Sequence, residues 1–171
     1  MDNSKTINNK KIFNKIEVYK KPMIKTRRAT IDDANVIIDF QIRMALETEN
    51  LNLEKEIVRK GVTKVFNDVS KGKYYIIFEN DKIVGSLLIT SEWSDWRNGS
   101  ILWIQSLYID PLYRRKGLFK HMYNYLKKMV DKSDELLGLR LYVDKLNKEA
   151  QVVYENVGMD GDHYRLYEWI K

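Results

Sequence analysis

Apolar residues recur every three or four positions in four segments of this chain, which is the spacing of a helix with one buried face. The first segment follows Thr30, and Asp33 three residues later completes a capping signature. The second runs from Glu54 to Val69, and the third runs from Gly117 to Val130. A short fourth segment ends at Gly158 and contains Ala150, Val153, Tyr154 and Val157. Four helices are therefore predicted.

Between and after these helices lie runs that are rich in β-branched and aromatic residues. "YYIIFEN" and "IVGSLLITSEW" flank the turn residues Asn80, Asp81 and Lys82, and this pattern predicts a hairpin. Further strands are predicted around Met23 to Arg28 and at "ILWIQSLYI", "GLRLYV" and "HYRLYEWI". A run of antiparallel strands followed by a strand-helix-strand unit predicts an α/β (α+β) fold, with a mixed sheet and helices on its faces.

The chain of 171 residues is long enough for one substantial core. We predict a basic, flexible extension over residues 1–22 and a single domain over residues 23–171. Residues 1–25 carry seven lysines and two acidic residues, so five of the six net positive charges lie there. No nucleic-acid partner is expected, because such a partner needs a charged face on the body of the protein. The alternative for the extension is a short basic amphipathic helix that would suit a membrane surface or a partner, with an apolar face made of Ile12, Phe13, Ile16 and Tyr19.

The chain contains no cysteine, which excludes disulfides, thiolate metal ligands and cysteine nucleophiles. His121 and His163 do not have the spacing of metal ligands, and no metal is expected. No window approaches about 18 consecutive apolar residues, and the first residues do not resemble a secretory signal. We therefore expect a soluble, cytoplasmic protein.

Three cations and a glycine, Arg114-Arg115-Lys116-Gly117, connect a predicted strand to a predicted helix. Backbone N–H groups at such a junction point outward together with the positive end of the helix dipole, so the amides of residues 115–119 could bind a phosphate group. The spacing matches neither G-x-G-x-x-G nor the P-loop, which argues against a nucleoside triphosphate. Alone, this segment fits an exposed basic turn better than a phosphate site.

A second motif, "LNKEAQVVYENVGM", places Asn147 just after a predicted strand and Tyr154 seven residues later. The two residues lie about two helical turns apart and therefore share a face of the fourth helix. Without a partner motif, Tyr154 would be interpreted as a core aromatic residue whose hydroxyl lies at the boundary.

Together the two motifs resemble the GNAT superfamily of acetyl-CoA-dependent N-acetyltransferases, in which an R-x-x-G-x-[GA] loop precedes an N-x-x-A-x-x-x-Y-E-x-x-G-[MF] helix. The resemblance runs from about Lys25 to Lys171 and includes the order of the elements. It implies a mostly antiparallel, twisted sheet of about six to seven strands with helices on both faces. It also implies acetyl-CoA as the cosubstrate and, as in many relatives, a homodimer.

The resemblance implies a role for each matching position. Backbone groups of Leu107, Tyr108 and Ile109 would bind the pantetheine arm. Asn147 would contact the coenzyme, and Tyr154 would stand near the sulfur as general acid. Phe119 departs from the family pattern, which most often has glycine or alanine there, but only its amide is needed if its side chain points into the core. The pyrophosphate would be held by Arg114, Arg115, Lys116, Gly117, Leu118 and Phe119.

The reaction implied is acetyl transfer to a primary amine of a small molecule or peptide, by direct attack in a ternary complex. The amine must first lose a proton, and Glu92 or Glu47 is the predicted base, with a water chain as the alternative. Trp93 and Trp96 are predicted as a wall for the acceptor, and Arg97 as a partner for a carboxylate. The full predicted acceptor set is Glu47, Glu49, Trp93, Trp96 and Arg97.

Each of these residues has an ordinary alternative role: exposed glutamates are often only solvated, and the tryptophans could pack their loop onto the sheet. The alternative function is a catalytically silent GNAT-fold sensor of acyl-CoA or an interaction module.

Overall fold

The computed structural model describes residues 21–171, so the predicted extension over residues 1–22 lies almost entirely outside the described residues. The described part forms four helices and five strands, and the four predicted helices are confirmed. The helices are α1 (Ala34–Glu49), α2 (Lys55–Asn67), α3 (Leu118–Asp131) and α4 (Lys148–Glu155). The strands are β1 (Ile24–Arg28), β2 (Lys73–Glu79), β3 (Lys82–Ser94), β4 (Gly99–Ile109) and β5 (Leu136–Arg140).

The strands form one sheet in the order β1-β2-β3-β4-β5. The first three pairings are antiparallel, and only β4 and β5 run parallel. Because α3 connects these two parallel strands, it must cross one face of the sheet. The predicted fold class, a mixed and mostly antiparallel sheet, is confirmed.

The number of strands is smaller than the six to seven that were predicted. The segment "HYRLYEWI", expected to be the last strand, has no strand pairing among the described residues. Its large apolar side chains are instead exposed: Tyr164, Leu166, Tyr167, Trp169 and Ile170. An apolar and aromatic pattern indicates only that a segment suits a sheet, because a strand also requires an edge to pair with.

Helices cover both faces of the sheet, as predicted. On one face α1 and α2 enclose a core that includes Ile37, Ile38, Val62, Tyr74 and Ile76. On the other face α3 packs on a larger core that includes Leu87, Leu102, Ile104, Met122 and Leu126, and Tyr154 and Val157 of the α4 region pack against it. Because both faces of the sheet are covered, the sequences of the central strands are nearly unbroken runs of apolar residues and do not alternate between apolar and polar.

Between residues 21 and 171, no helix has the length and apolar content needed to cross a bilayer.

Candidate active site

The fourth strand separates from its parallel neighbour partway along its length. β4 pairs with β5 from Ser100 opposite Leu136 to Trp103 opposite Arg140, where β5 ends. β4 continues to Ile109, and there β3 is its only pairing partner among residues 21–171. About half of the peptide groups beyond Trp103 therefore face an open wedge, where an extended ligand can bind them as an added strand would.

A β-bulge shapes this wedge. Ser106 has a positive φ of 49°, and the pairing between β3 and β4 shifts between Ser86 and Leu88. A bulge bends its strand and changes the direction of the side chains that follow. Beyond it, Leu107 and Ile109 pack on the α3 side of the sheet, while Tyr108 is buried with its ring 5.4 Å from that of Phe40 on α1. The three predicted pantetheine-binding positions thus lie on the wedge with their side chains packed elsewhere.

The loop between β4 and α3 has the backbone of an anion-binding turn. Arg115 and Gly117 both have positive φ, 62° and 75°, and Gly117 is the N-terminal cap of α3. The first intrahelical bond is donated by His121 to the carbonyl of Gly117, so the N–H groups of residues 118–120 have no helical acceptor. The side chains of Leu118 and Phe119 are buried in the α3 core. Only their amides can therefore serve a ligand at the loop.

Two of the three loop cations are held by carboxylates. Arg114 donates to both oxygens of Glu47 and, through Nε, to the carbonyl of Ile109 at 2.8 Å. Lys116 Nζ lies 3.0 Å from each oxygen of Glu79. Arg115 is exposed and forms no ion pair within residues 21–171. The loop thus presents one uncommitted cation, whereas the sequence suggested three.

The pairing with Arg114 changes the chemistry of Glu47. The hydrogen bonds from the guanidinium hold the pKa of this carboxyl below its ordinary value, and the positive charge acts in the same direction. Glu47 is therefore ionised at neutral pH, but both of its oxygens are engaged by Arg114.

The two sequence motifs meet on the α3 side of the sheet. The ring of Tyr154 on α4 contacts the ring of Phe119 edge to face, with centroids 5.2 Å apart. Burial raises the pKa of the Tyr154 hydroxyl above its ordinary value, so the phenol keeps its proton. Asn147 Oδ1 accepts a hydrogen bond of 3.0 Å from the N–H of Ala150 and so caps α4. The predicted coenzyme contact of Asn147 would have to come from its amide nitrogen.

Glu92 lies where the wedge begins. Its carboxylate accepts one hydrogen bond from the indole N–H of Trp103 and one of 2.8 Å from Arg140. Trp103 and Arg140 are the last pair of residues that lie opposite each other on β4 and β5. The bond from Trp103, together with the bond and charge of Arg140, lowers the pKa of Glu92 despite the smaller opposing effect of desolvation. Glu92 is thus an ionised carboxylate at the narrow end of the wedge.

The remaining predicted acceptor residues are not brought to the wedge. Trp96 is 90% exposed and lies with Arg97 in the turn between β3 and β4, at the opposite end of the hairpin from Leu107. At the rise of a strand, the four steps from Gly99 to Trp103 span about 13 Å, and the eight steps from Gly99 to Leu107 span about 26 Å. Trp93 is 62% exposed near the same turn, and Glu49 is an exposed residue at the end of α1.

The structure adds residues that the sequence analysis missed. Arg43 on α1 donates to Asp110 at 3.1 Å, and its guanidinium lies 5.4 Å from the centre of the Tyr108 ring. Trp103 and Arg140 join Glu92, and Tyr142 lies 6.3 Å from Trp103 between ring centroids. None of these residues belongs to a short motif. Arg43 is brought to Asp110 by the packing of α1, and Arg140 is brought to Trp103 by the pairing of β4 with β5, so only the tertiary structure could have identified them.

Two hollows lie away from this wedge. One of about 570 Å³ is open to solvent beside β1 and the end of α2, and one of about 230 Å³ lies between α3 and β5. Neither hollow is lined by Tyr154, Glu92 or the loop at Gly117. We place the candidate site at the wedge because the unpaired end of β4, the amides at the start of α3 and the ionised carboxylate of Glu92 lie there. Within residues 21–171, no group of three or more His, Asp and Glu side chains could hold a metal ion.

The sequence of this chain matches the model of a known protein family. The description of the matching family is acetyltransferase (GNAT) family, and the match spans residues 42–159, more than half of the chain. The chain belongs to the GNAT acetyltransferase family. The GNAT resemblance of the two motifs is thereby confirmed, and the match contains both the loop at Gly117 and the helix with Tyr154.

Solved structures agree with membership of the GNAT family. A possible acetyltransferase from Clostridium difficile 630 is 43% identical, with a TM-score of 0.80 over 87% of this chain and 98% of that chain. A predicted acetyltransferase from Clostridium acetobutylicum, solved with acetyl-CoA, shares the fold at 18% identity and a TM-score of 0.65, over 85% of this chain and 96% of that one. An aminoglycoside acetyltransferase from a soil metagenome, solved with sisomicin, shares it at 16% identity and 0.68, over 86% and 97%. A search of curated proteins finds no match.

GNAT enzymes use acetyl-CoA as cosubstrate. The residues of this chain fit that ligand. Within residues 21–171, β4 has unpaired peptide groups along the wedge, and the N–H groups of residues 118–120 lack helical acceptors beside the open turn at Gly117.

Proposed function

We propose that this GNAT protein transfers an acetyl group from acetyl-CoA to a primary amine by direct attack in a ternary complex. The observation that supports the proposal is the meeting of three features at one wedge: the unpaired end of β4, the amide-rich start of α3, and Tyr154 against Phe119. When bound, acetyl-CoA supplies an activated thioester. The wedge amides would bind its arm, and the loop at Gly117 with Arg115 would bind its pyrophosphate.

Tyr154 is the proposed general acid. A tyrosine can protonate a departing thiolate only if it still carries its proton at that moment. With an ordinary pKa of about 10, above the value of about 8.5 for a thiol, a phenol is protonated at neutral pH. Burial favours the neutral form of Tyr154, because it raises the pKa of the hydroxyl. The edge contact with Phe119 fixes its ring, and this gives the unusual Phe119 a positioning role.

Glu92 is the proposed base, acting through water, and Glu47 is a positioning residue. Each carboxylate accepts one hydrogen bond at each oxygen and keeps further lone pairs for a water molecule, so the choice rests on position: Glu92 bonds Trp103, where the wedge begins. Glu92 remains ionised at the start of the wedge, on the face opposite to Tyr154. The base Glu92 and the acid Tyr154 thus approach the wedge from opposite faces of the sheet. This arrangement suits the reaction, because the base takes a proton from the attacking amine while the acid donates one to the departing thiolate. Glu47 instead orients Arg114 between α1 and the end of β4.

The proposal is tested with Tyr154→Phe and a screen of primary amines, read by the release of free CoA. We expect Tyr154→Phe to lower kcat by about 10²-fold or more, while acetyl-CoA still binds in isothermal titration. A wild-type protein that binds acetyl-CoA but releases no CoA with any polyamine, amino acid, aminoglycoside or lysine peptide would favour the silent sensor instead. Absence of acetyl-CoA binding would contradict both functions.

We also propose a homodimer. Three of the five exposed apolar side chains in this segment are aromatic, Tyr164, Tyr167 and Trp169, and together they would remove roughly 450 Å² or more from water at about 150 Å² each. Leu166 and Ile170 add to this area, so each segment would supply more than half of the roughly 800 Å² per partner of a standard interface. A second copy is thus a suitable partner for this segment.

A further inference from the structure

A cluster of aromatic and charged side chains surrounds Arg140, and the proposed mechanism gives a role to only one of them, Glu92. The guanidinium carbon of Arg140 lies 5.9 Å from the centre of the Trp103 ring and 5.8 Å from that of Tyr164. Tyr142 packs beside Trp103. We call Arg140, Trp103, Tyr142 and Tyr164, with Glu92, the Arg140 cluster.

The position of the Arg140 cluster connects it with the wedge. Trp103 and Arg140 form the last register pair before β4 and β5 separate. Leu102 and Ile104 pack in the core beneath α3, so Trp103 between them projects from the opposite face of the sheet. The cluster therefore lies at the start of the wedge, on the face away from Tyr154.

The hydrogen-bond donors of Arg140 that remain free indicate what the Arg140 cluster can recognise. Both oxygens of Glu92 already accept bonds, one from Trp103 and one from Arg140. Arg140 has five N–H donors and uses one of them within residues 21–171. Its side chain is 29% exposed, so a ligand can reach it. The unused donors form a planar fork that suits a carboxylate, and the aromatic rings offer flat surfaces for stacking.

We infer that Arg140 binds a carboxylate of the acceptor, and that the acceptors of this protein are amino acids. This inference rests on the proposed function, because it names the class of amine that enters the same wedge. It also moves the carboxylate-binding role from Arg97, in the far turn, to Arg140. A primary amine without a carboxylate would leave the donors of Arg140 unsatisfied in the complex.

The experiment compares each amino acid with the amine that remains when its carboxylate is removed: tyrosine with tyramine, tryptophan with tryptamine, arginine with agmatine. We expect kcat/KM to be about tenfold or more higher for the amino acid of each pair, as for a charge-assisted hydrogen bond. In Arg140→Gln this ratio should fall towards one, and Arg140→Lys should keep part of it. Arg59→Gln, which removes an exposed arginine of α2, is the matched control and should keep the ratio.

A wild-type ratio at or below one would overturn the inference and leave acetyl transfer to amines intact. A ratio that falls in Arg97→Gln but not in Arg140→Gln would also overturn it, because the carboxylate would then be bound by Arg97 in the turn between β3 and β4.

Binding of the N-acetylated products gives a readout that needs no turnover. N-acetyltyrosine should bind more tightly than N-acetyltyramine in titration calorimetry, and Arg140→Gln should remove the difference. Equal binding of the two would count against Arg140 even if no amine were acetylated.

Discussion

Gly117 adopts a backbone conformation that few other residues tolerate, although a side chain would have room there. Its φ is 75°, and no atom lies within 4 Å of the place where a Cβ would be. The glycine is therefore required by the turn and not by close packing. This is the reason a single glycine after three cations carries information in this sequence.

Gly117→Ala should weaken acetyl-CoA binding through the backbone alone. The left-handed conformation costs an ordinary residue about 1–2 kcal/mol, so we expect the Kd to rise about 5- to 30-fold if the loop changes conformation to relieve the strain. Titration calorimetry measures the affinity. Gly61→Ala on α2 is the control, since Gly61 is equally uncrowded but helical. It should leave the affinity unchanged, and an equal loss in both variants would contradict the role of the loop.

Single residues also show where sequence reasoning reached its limit. Arg114 and Lys116 were predicted to face phosphate, yet carboxylates from α1 and β2 hold them. Glu47 and Glu79 lie far from the loop in the sequence, so no local pattern could reveal these ion pairs. The buried direction of Phe119 could be anticipated, because position 119 lies on the apolar stripe of α3.

At the scale of elements, Asp33 joins the end of β1 to the start of α1. Its carboxylate accepts two bonds from Arg27, at 2.7 and 2.9 Å, and one of 2.7 Å from the N–H of Thr30. Burial alone would raise the pKa of Asp33, but the bonds from Arg27 and Thr30 outweigh it and lower the pKa below its ordinary value. The signature at Thr30 thus predicted the start of the helix but not the ion pair with β1.

Asp33→Asn should lower the free energy of unfolding at pH 7 by about 1–3 kcal/mol, since it removes a buried charge-assisted network. The folded-state pKa is lowered, so the contribution is fully present above the unfolded pKa of about 3.9 and is lost as pH falls from that value through the lower folded-state pKa. Urea unfolding from pH 7 to pH 3 should show the wild type and the variant converging. Exposed Asp32→Asn is the control and should change stability by less than about 0.5 kcal/mol. A difference between wild type and Asp33→Asn that stays constant with pH would contradict this account.

At the scale of the whole molecule, the exposed C-terminal segment bears on assembly. If it pairs with a second copy, Trp169→Asp combined with Ile170→Asp should shift the protein from dimer to monomer in light scattering across a dilution series. Trp96→Asp alters an equally exposed tryptophan at the far turn and should leave the dimer intact. A monomeric wild type, or equal dissociation in both variants, would contradict the homodimer.

The sequence by itself determined the four helices, the hairpin, the mixed sheet and the family, because periodicity, caps, turn residues and two spaced motifs are local properties of the chain. It also located the loop at Gly117 and Tyr154, to which the proposed function assigns coenzyme binding and proton donation. Only the tertiary structure decided that β4 and β5 separate at Trp103, that Phe119 meets Tyr154, and that Arg140 lies at the wedge while Arg97 does not. These relations depend on strand register and on which face each side chain takes, and a shift of one residue in register would exchange the two faces.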